Sequence, residues 1–320
     1  MKGFFSNNSA LFQLGILLYL ILIGVLLNSA IGYATVNISG FLSDDKPANM
    51  YDFPFYTLHA LQFSSNIFIF ILPAVCTAYL CSKKPAGFIH VKRCIDIRII
   101  LLSIIMLLLI SPFIGVATEL NSKIQLPEFM SSIAEFSHKS EYRAAKVTEK
   151  LLSENGIIPF ATNIFIIGIM AGISEEFLFR GALLSIIRKK IKNPHTAIWM
   201  VAIIFSIIHF QFSGFIPRIL LGAFLGYLLF WSKNIWVPVF VHFLNNTIIV
   251  IAQKVGFYQL SPDSTVLTGT GSGINEWHNT GLSTITYIIA IVMIVIITVL
   301  MFALFALCAK KIKKIADVSD

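Results

Sequence analysis

Charge is scarce in this chain. Asp, Glu, Lys and Arg make up only 12% of its 320 residues against 57% hydrophobic residues, and Phe alone occurs 28 times. That balance excludes a soluble globular chain and leaves a polytopic membrane protein. Cysteine is nearly absent: Cys76, Cys81, Cys94 and Cys308 form no CxxC pair and no framework spacing. A disulfide scaffold or a thiolate metal site has no basis there. HExxH is missing, which excludes the familiar zinc-binding helix. The turn-rich TGTGSG stretch, Thr268 to Gly273, has no GK[ST] after it and is not a phosphate loop, and GxSxG, the serine-hydrolase elbow, is absent. The net charge of +8 does not point to nucleic acid. Its Lys and Arg gather in short runs beside apolar segments, where positive charge sets membrane orientation.

What is present is a series of apolar runs long enough to cross about 30 Å of hydrocarbon. They fall near residues 11–33, 61–81, 97–117, 157–187, 196–213, 215–232, 235–252 and 284–308, which predicts an all-α, multi-pass helical bundle of about eight transmembrane helices. The run from Leu11 to Leu27, followed by Asn28-Ser29-Ala30, mimics a secretory signal but reads as a retained span. Even-numbered connections carry Lys83, Lys84, Lys92 and Arg93, then Arg188, Lys189, Lys190 and Lys192, then Lys233, and the tail adds Lys310, Lys311, Lys313 and Lys314. Odd-numbered connections carry Asp44, Asp45 and Asp52, a balanced set, and Asp263 and Glu276. The positive-inside rule then places both termini in the cytoplasm. In the third connection Ile133, Phe136, Ala144, Val147 and Leu151 recur at three-to-four or doubled spacing, predicting an amphipathic helix at the outer interface or, equally, a solvated helical hairpin over the bundle. No internal repeat and no separate soluble domain is visible. The chain divides into an N-terminal three-span region (1–156), a four-span core (157–252) and an outer loop, last span and basic tail (253–320).

The core carries charge where charge is expensive. AGISEEFLFRGALL, Ala171 to Leu184, places Glu175, Glu176 and Arg180 inside an apolar run. Each costs about 2.5–3.5 kcal/mol at a helix centre, so they need a packed or water-filled interior and mark a functional site by default. Glu176 and Arg180 stand at i, i+4 and share a face; Glu175 points elsewhere. The first two read as a structural ion pair and Glu175 as a free carboxylate suited to general-base work.

Two further polar insertions follow. AIIFSIIHF places Phe205 and His209 one helical turn apart, and VPVFVHFLNN does the same for His242 and Asn246. Counted at 1.5 Å per residue from the basic ends of their spans, Glu175, His209, His242 and Asn246 lie roughly 18, 20, 10 and 16 Å deep. They can meet in one pocket within the membrane, reached from the cytoplasmic side. Such a pocket has the parts for amide hydrolysis. Glu175 with His209 could hold and deprotonate a water, while His242 and Asn246 hydrogen-bond the oxyanion. Equally, Glu175, His209 and His242 could bind Zn²⁺ or another divalent metal that activates the water.

Taken together, EExxxR at Glu175, Glu176 and Arg180 running into FRGAL, FxxxH at Phe205 and His209, HxxxN at His242 and Asn246, and NIWVP before the third motif resemble the CPBP family. These are the CAAX-processing prenyl endopeptidases, or type II CAAX proteases, with their bacterial relatives, also called the Abi family and linked to bacteriocin processing and self-immunity. The resemblance covers about residues 157–252. It implies an eight-helix intramembrane endopeptidase with Glu175 as the catalytic carboxylate and His209, His242 and Asn246 completing the site. It also implies a protein or peptide substrate in or near the membrane; the family is usually described as metal-dependent, with metal-free water activation also argued for it. The short basic inner loops resemble a prokaryotic, cell-membrane relative. A non-catalytic scaffold or bacteriocin self-immunity protein would keep the fold without the chemistry. A transporter would use the buried carboxylate as a proton or ion site, without the repeated halves such proteins often show.

Overall fold

The computed structural model describes residues 2–42, 52–92, 95–255, 258–260, 267–269 and 284–318. Asp44, Asp45, Arg93, Cys94, Asp263, Glu276 and the 270–273 part of TGTGSG lie outside the described residues. In chain order the helices of ten residues or more among the described residues are α1 (Ala10–Leu42), α2 (Phe55–Cys81), α3 (Ile97–Ser122), α4 (Ser131–Ser153), α5 (Ile157–Lys190), α6 (Pro194–Ile207), α7 (Phe215–Ser232), α8 (Trp236–Lys254) and α9 (Thr284–Val318). The described residues also hold a short antiparallel strand pair, Tyr258–Leu260 with Leu267–Gly269.

Among the described residues six helices, α1, α2, α3, α5, α7 and α8, are long and apolar enough to cross a membrane. The expected span 196–213 is corrected: α6 has 14 residues and stops at Ile207, a rise of about 21 Å that falls short of the hydrocarbon thickness. It stops because Phe210 turns into the left-handed region at φ 53°, and the His209 ring takes the Phe205 carbonyl. The expected span 284–308 falls in α9, whose side chains before residue 298 lie outside the described residues.

Local sequence explains where helices begin. Asp96 caps α3 by accepting the Arg98 N–H at 2.8 Å, and Asn193 caps α6 by accepting from His195 N at 2.9 Å, with Pro194 in the first turn. The third connection forms the helix α4, with Ile133 and Phe136 exposed and Leu151 buried.

Packing is set by small residues. At Gly168 an added methyl would meet Thr247 Oγ1 and the Phe243 ring, and at Gly172 it would fall 3.2 Å from both Phe243 N and Val239 O. This glycine pair, four residues apart, lets the α8 backbone lie directly against α5. Gly222 and Gly226 on α7 receive Ala202 and Ile198 of α6 in the same way. The core between α5, α6 and α7 is apolar, built from Phe179, Ala182, Val201, Ala202, Phe205 and Ala223 among others.

The connections sort to two ends of the bundle. At one end Lys189 donates to Gln13 of α1 at 2.6 Å, Ile235 N–H donates to the His90 carbonyl at 3.0 Å, and Lys233 pairs with Asp317 at 2.8 Å. The described basic connections therefore meet at a common end. At the other end α4 lies over the α6–α7 turn, and Lys254 binds the Leu152 and Glu154 carbonyls.

Candidate active site

The polar residues of the core converge on α5. This helix widens into π turns over Ile164–Met170 and Phe177–Leu183, leaving an α-helical piece, Ala171–Glu176, between them. Turns of this kind recur at functional sites. The intervening piece carries both glutamates.

Glu176 and Arg180 are fully buried, and Arg180 Nη1 donates to Glu176 Oε1 at 2.8 Å. Arg180 Nη2 donates to the Gly222 carbonyl at 2.8 Å, and its guanidinium lies 4.8 Å from the centre of the Phe205 ring. The expected pair therefore exists, and it joins α5 to both α6 and α7. The same Glu176 Oε1 also takes His242 Nδ1, at 2.8 Å. A carboxylate oxygen accepts, so Nδ1 carries the proton, and in the neutral ring Nε2 is left with its lone pair. That Nε2 faces Glu175 Oε2 at 3.7 Å, and the Glu175 side chain is 19% exposed where Glu176 is sealed.

The two adjacent glutamates thus differ in surroundings as their helical phase requires. One is locked in a buried network; the other is partly open, with the His242 Nε2 opposite it.

His209 reaches the site from the turn beyond α6. Its Nδ1 donates to the Phe205 carbonyl at 2.7 Å, and its ring stands edge-on to Phe205, 4.9 Å between centres. The FxxxH contact survives although the helix does not continue. Phe205 is buried and also touches Phe179 and His242, forming an apolar floor. His209 and Glu175 influence each other electrostatically, but the histidine that faces Glu175 most directly is His242. Asn246, one turn beyond His242, donates Nδ2 to the Ile167 carbonyl at 3.0 Å, bridging α8 to the first π turn of α5. A second amide hydrogen remains for another acceptor.

Glu175, His209 and His242 are ligand types for a divalent cation. Among the described residues, no three His, Cys, Asp or Glu side chains are gathered closely enough to hold a metal ion. The three donors are not a ready metal centre in this arrangement.

One further charged residue was not among those expected. Arg218, in the first turn of α7, donates to Gln211 at 2.7 Å and lies within electrostatic reach of Glu175, His209 and Glu141. An arginine near the start of the apolar run at 215–232 is the sequence signal that points to it.

Residues 157–248 match the family described as Type II CAAX prenyl endopeptidase Rce1-like. The chain is similar to the uncharacterized protein YpbD of Bacillus subtilis (strain 168), 25% identical over 126 residues, 38% of this chain and 59% of that one. It is also similar to the membrane-embedded CAAX protease MroQ of Staphylococcus aureus (strain USA300), 30% identical over 112 residues, 33% of this chain and 44% of that one. The chain spans about half the length of these curated relatives. No solved structure matches it.

Proposed function

We propose, from the premise that residues 157–248 form a segment of the type II CAAX prenyl endopeptidase family, that this protein is an intramembrane endopeptidase cutting a membrane-associated protein or peptide. What supports this most is the geometry at His242, fixed through Nδ1 by Glu176 and presenting Nε2 to Glu175. A 3.7 Å separation is too long for a direct hydrogen bond and suits a bridging water.

In this reading Glu175 accepts a proton from that water as its oxygen attacks the scissile carbonyl carbon. His242 orients the water, Asn246 donates its second amide hydrogen to the oxyanion, and His209, across the Phe205 floor, lines the same pocket. Protonated Glu175 then gives its proton to the leaving nitrogen as the C–N bond breaks, yielding a carboxylate and an amine. Glu176 and Arg180 do not touch the substrate; they hold the imidazole.

The basic end of the bundle faces the cytoplasm in this reading, and the membrane is that of a prokaryotic cell. In a cysteine-free background, a cysteine at Lys190 labels from the cytoplasmic side, and one at Lys139 on α4 labels from outside; the reverse pattern inverts the orientation.

Cleavage of a peptide library by the purified protein in liposomes, with and without chelator, tests the reaction. Cleavage that persists in chelator supports directly activated water, and cleavage lost on chelation supports a metal-activated one. A folded wild-type protein that cuts nothing favours a scaffold or immunity role instead.

A further inference from the structure

The turn that delivers His209 leaves backbone groups that its own hydrogen bonds do not satisfy. Residues 208–214 are irregular backbone between α6 and α7, and in an apolar bundle such backbone persists only where protein groups or a wet cavity satisfy its polar atoms. Phe210 adds strain, since a non-glycine residue at φ 53° is disfavoured.

Ser206 Oγ donates to the Phe215 carbonyl at 2.7 Å, but the other side chains that satisfy this backbone come from outside the matched residues 157–248. Asn121, 1% exposed near the end of α3, donates Nδ2 to the Phe212 and Ser213 carbonyls at 2.6 and 3.0 Å. Its Oδ1 accepts the Ile216 N–H at 3.0 Å. From α4, Ser137 Oγ accepts the Phe212 N–H at 2.7 Å and donates to Glu141 Oε1 at 3.2 Å, which in turn accepts the Ser213 N–H at 2.8 Å. Phe136 meets Phe210 edge-on, 5.5 Å between ring centres. Three side chains from two helices thus satisfy five backbone groups of one turn.

We propose that Asn121, Ser137 and Glu141 are positioning residues for the reaction: they clamp the 212–216 backbone and thereby set the His209 ring. α4 is then a working part of the active site rather than a cover over it. The inference rests on the endopeptidase reading and adds to it residues of the N-terminal region.

Wild type, Asn121→Ala, His209→Ala and the double variant, all full chain in liposomes, are compared on a library peptide that wild type cleaves. Asn121→Ala is expected to lower kcat about 10- to 100-fold with KM nearly unchanged, the size of a small misplacement of a reacting group. In the His209→Ala background it should add nothing, since the clamp acts through that ring. Ser137→Ala, the milder cut, should behave alike with a smaller fall and decides the matter if Asn121→Ala does not fold. Backbone deuterium exchange over residues 209–217 should quicken in both. A wild-type kcat in the clamp variants, or the same fold-loss with and without His209, overturns the inference alone. Absence of cleavage by wild type overturns the functional reading, and the inference with it.

Discussion

The candidate site has two halves held by different physics. On α5 and α8 the functional groups stand on helices packed through Gly168 and Gly172, and a sealed carboxylate joins Arg180 to His242. On the α6–α7 turn His209 stands on irregular backbone that takes further hydrogen bonds from α3 and α4, and Arg218 follows in the first turn of α7. The helix-borne half couples chemistry to folding, because its positioning groups are also its buried charges. The turn-borne half rests instead on neutral hydrogen bonds and one partly exposed carboxylate, Glu141.

That contrast predicts a ranking of effects. Arg180→Ala would leave Glu176 buried without its cation and should cost about 3–5 kcal/mol, read as lost folded yield or a large fall in thermal midpoint in detergent. A midpoint close to wild type would mean the pair is not structural. Gly172→Ala comes next. Its methyl would press on the α8 backbone at 3.2 Å, which cannot retreat like a flexible side chain; about 1–3 kcal/mol is expected, with activity falling as His242 moves. His209→Ala should remove most activity while costing about 1 kcal/mol of stability, the net value of one hydrogen bond. If it unfolds the protein, the two halves are not separable. The smallest effect belongs to Lys139→Ala, which breaks the exposed Glu135–Lys139 pair on α4 at 2.5 Å. Neither thermal midpoint nor cleavage should change measurably, since such pairs are worth little in water.

The same contrast explains what the sequence could reveal. The i, i+4 pairing of Glu176 with Arg180 follows from helical geometry, and the structure shows it; Glu175, expected to point elsewhere, meets the other nitrogen of the same His242 ring that Glu176 holds. The amphipathic helix at α4 was legible for the same reason, from the spacing of Ile133 and Phe136 to Leu151. The end of α6 was not, because apolar composition continues to Phe210 and hydropathy does not register a left-handed residue or a ring taking its own helix's carbonyl. Nor was the clamp: Asn121, Ser137 and Glu141 lie 72–95 residues from the atoms they hold, a distance no local pattern spans. The pairing of Glu175 with His209 suggested by depth gives way to a closer approach by His242, since depth counts rise along a helix and not direction around it.

The division of labour between the neighbouring glutamates is most directly tested by Glu175→Gln, purified beside wild type and assayed for peptide cleavage and thermal midpoint in the same liposomes. Loss of a general base should lower kcat by about 10²–10⁴-fold, with the midpoint unchanged because Glu175 lies outside the sealed network. Full activity in Glu175→Gln, or loss of the folded state, would contradict it.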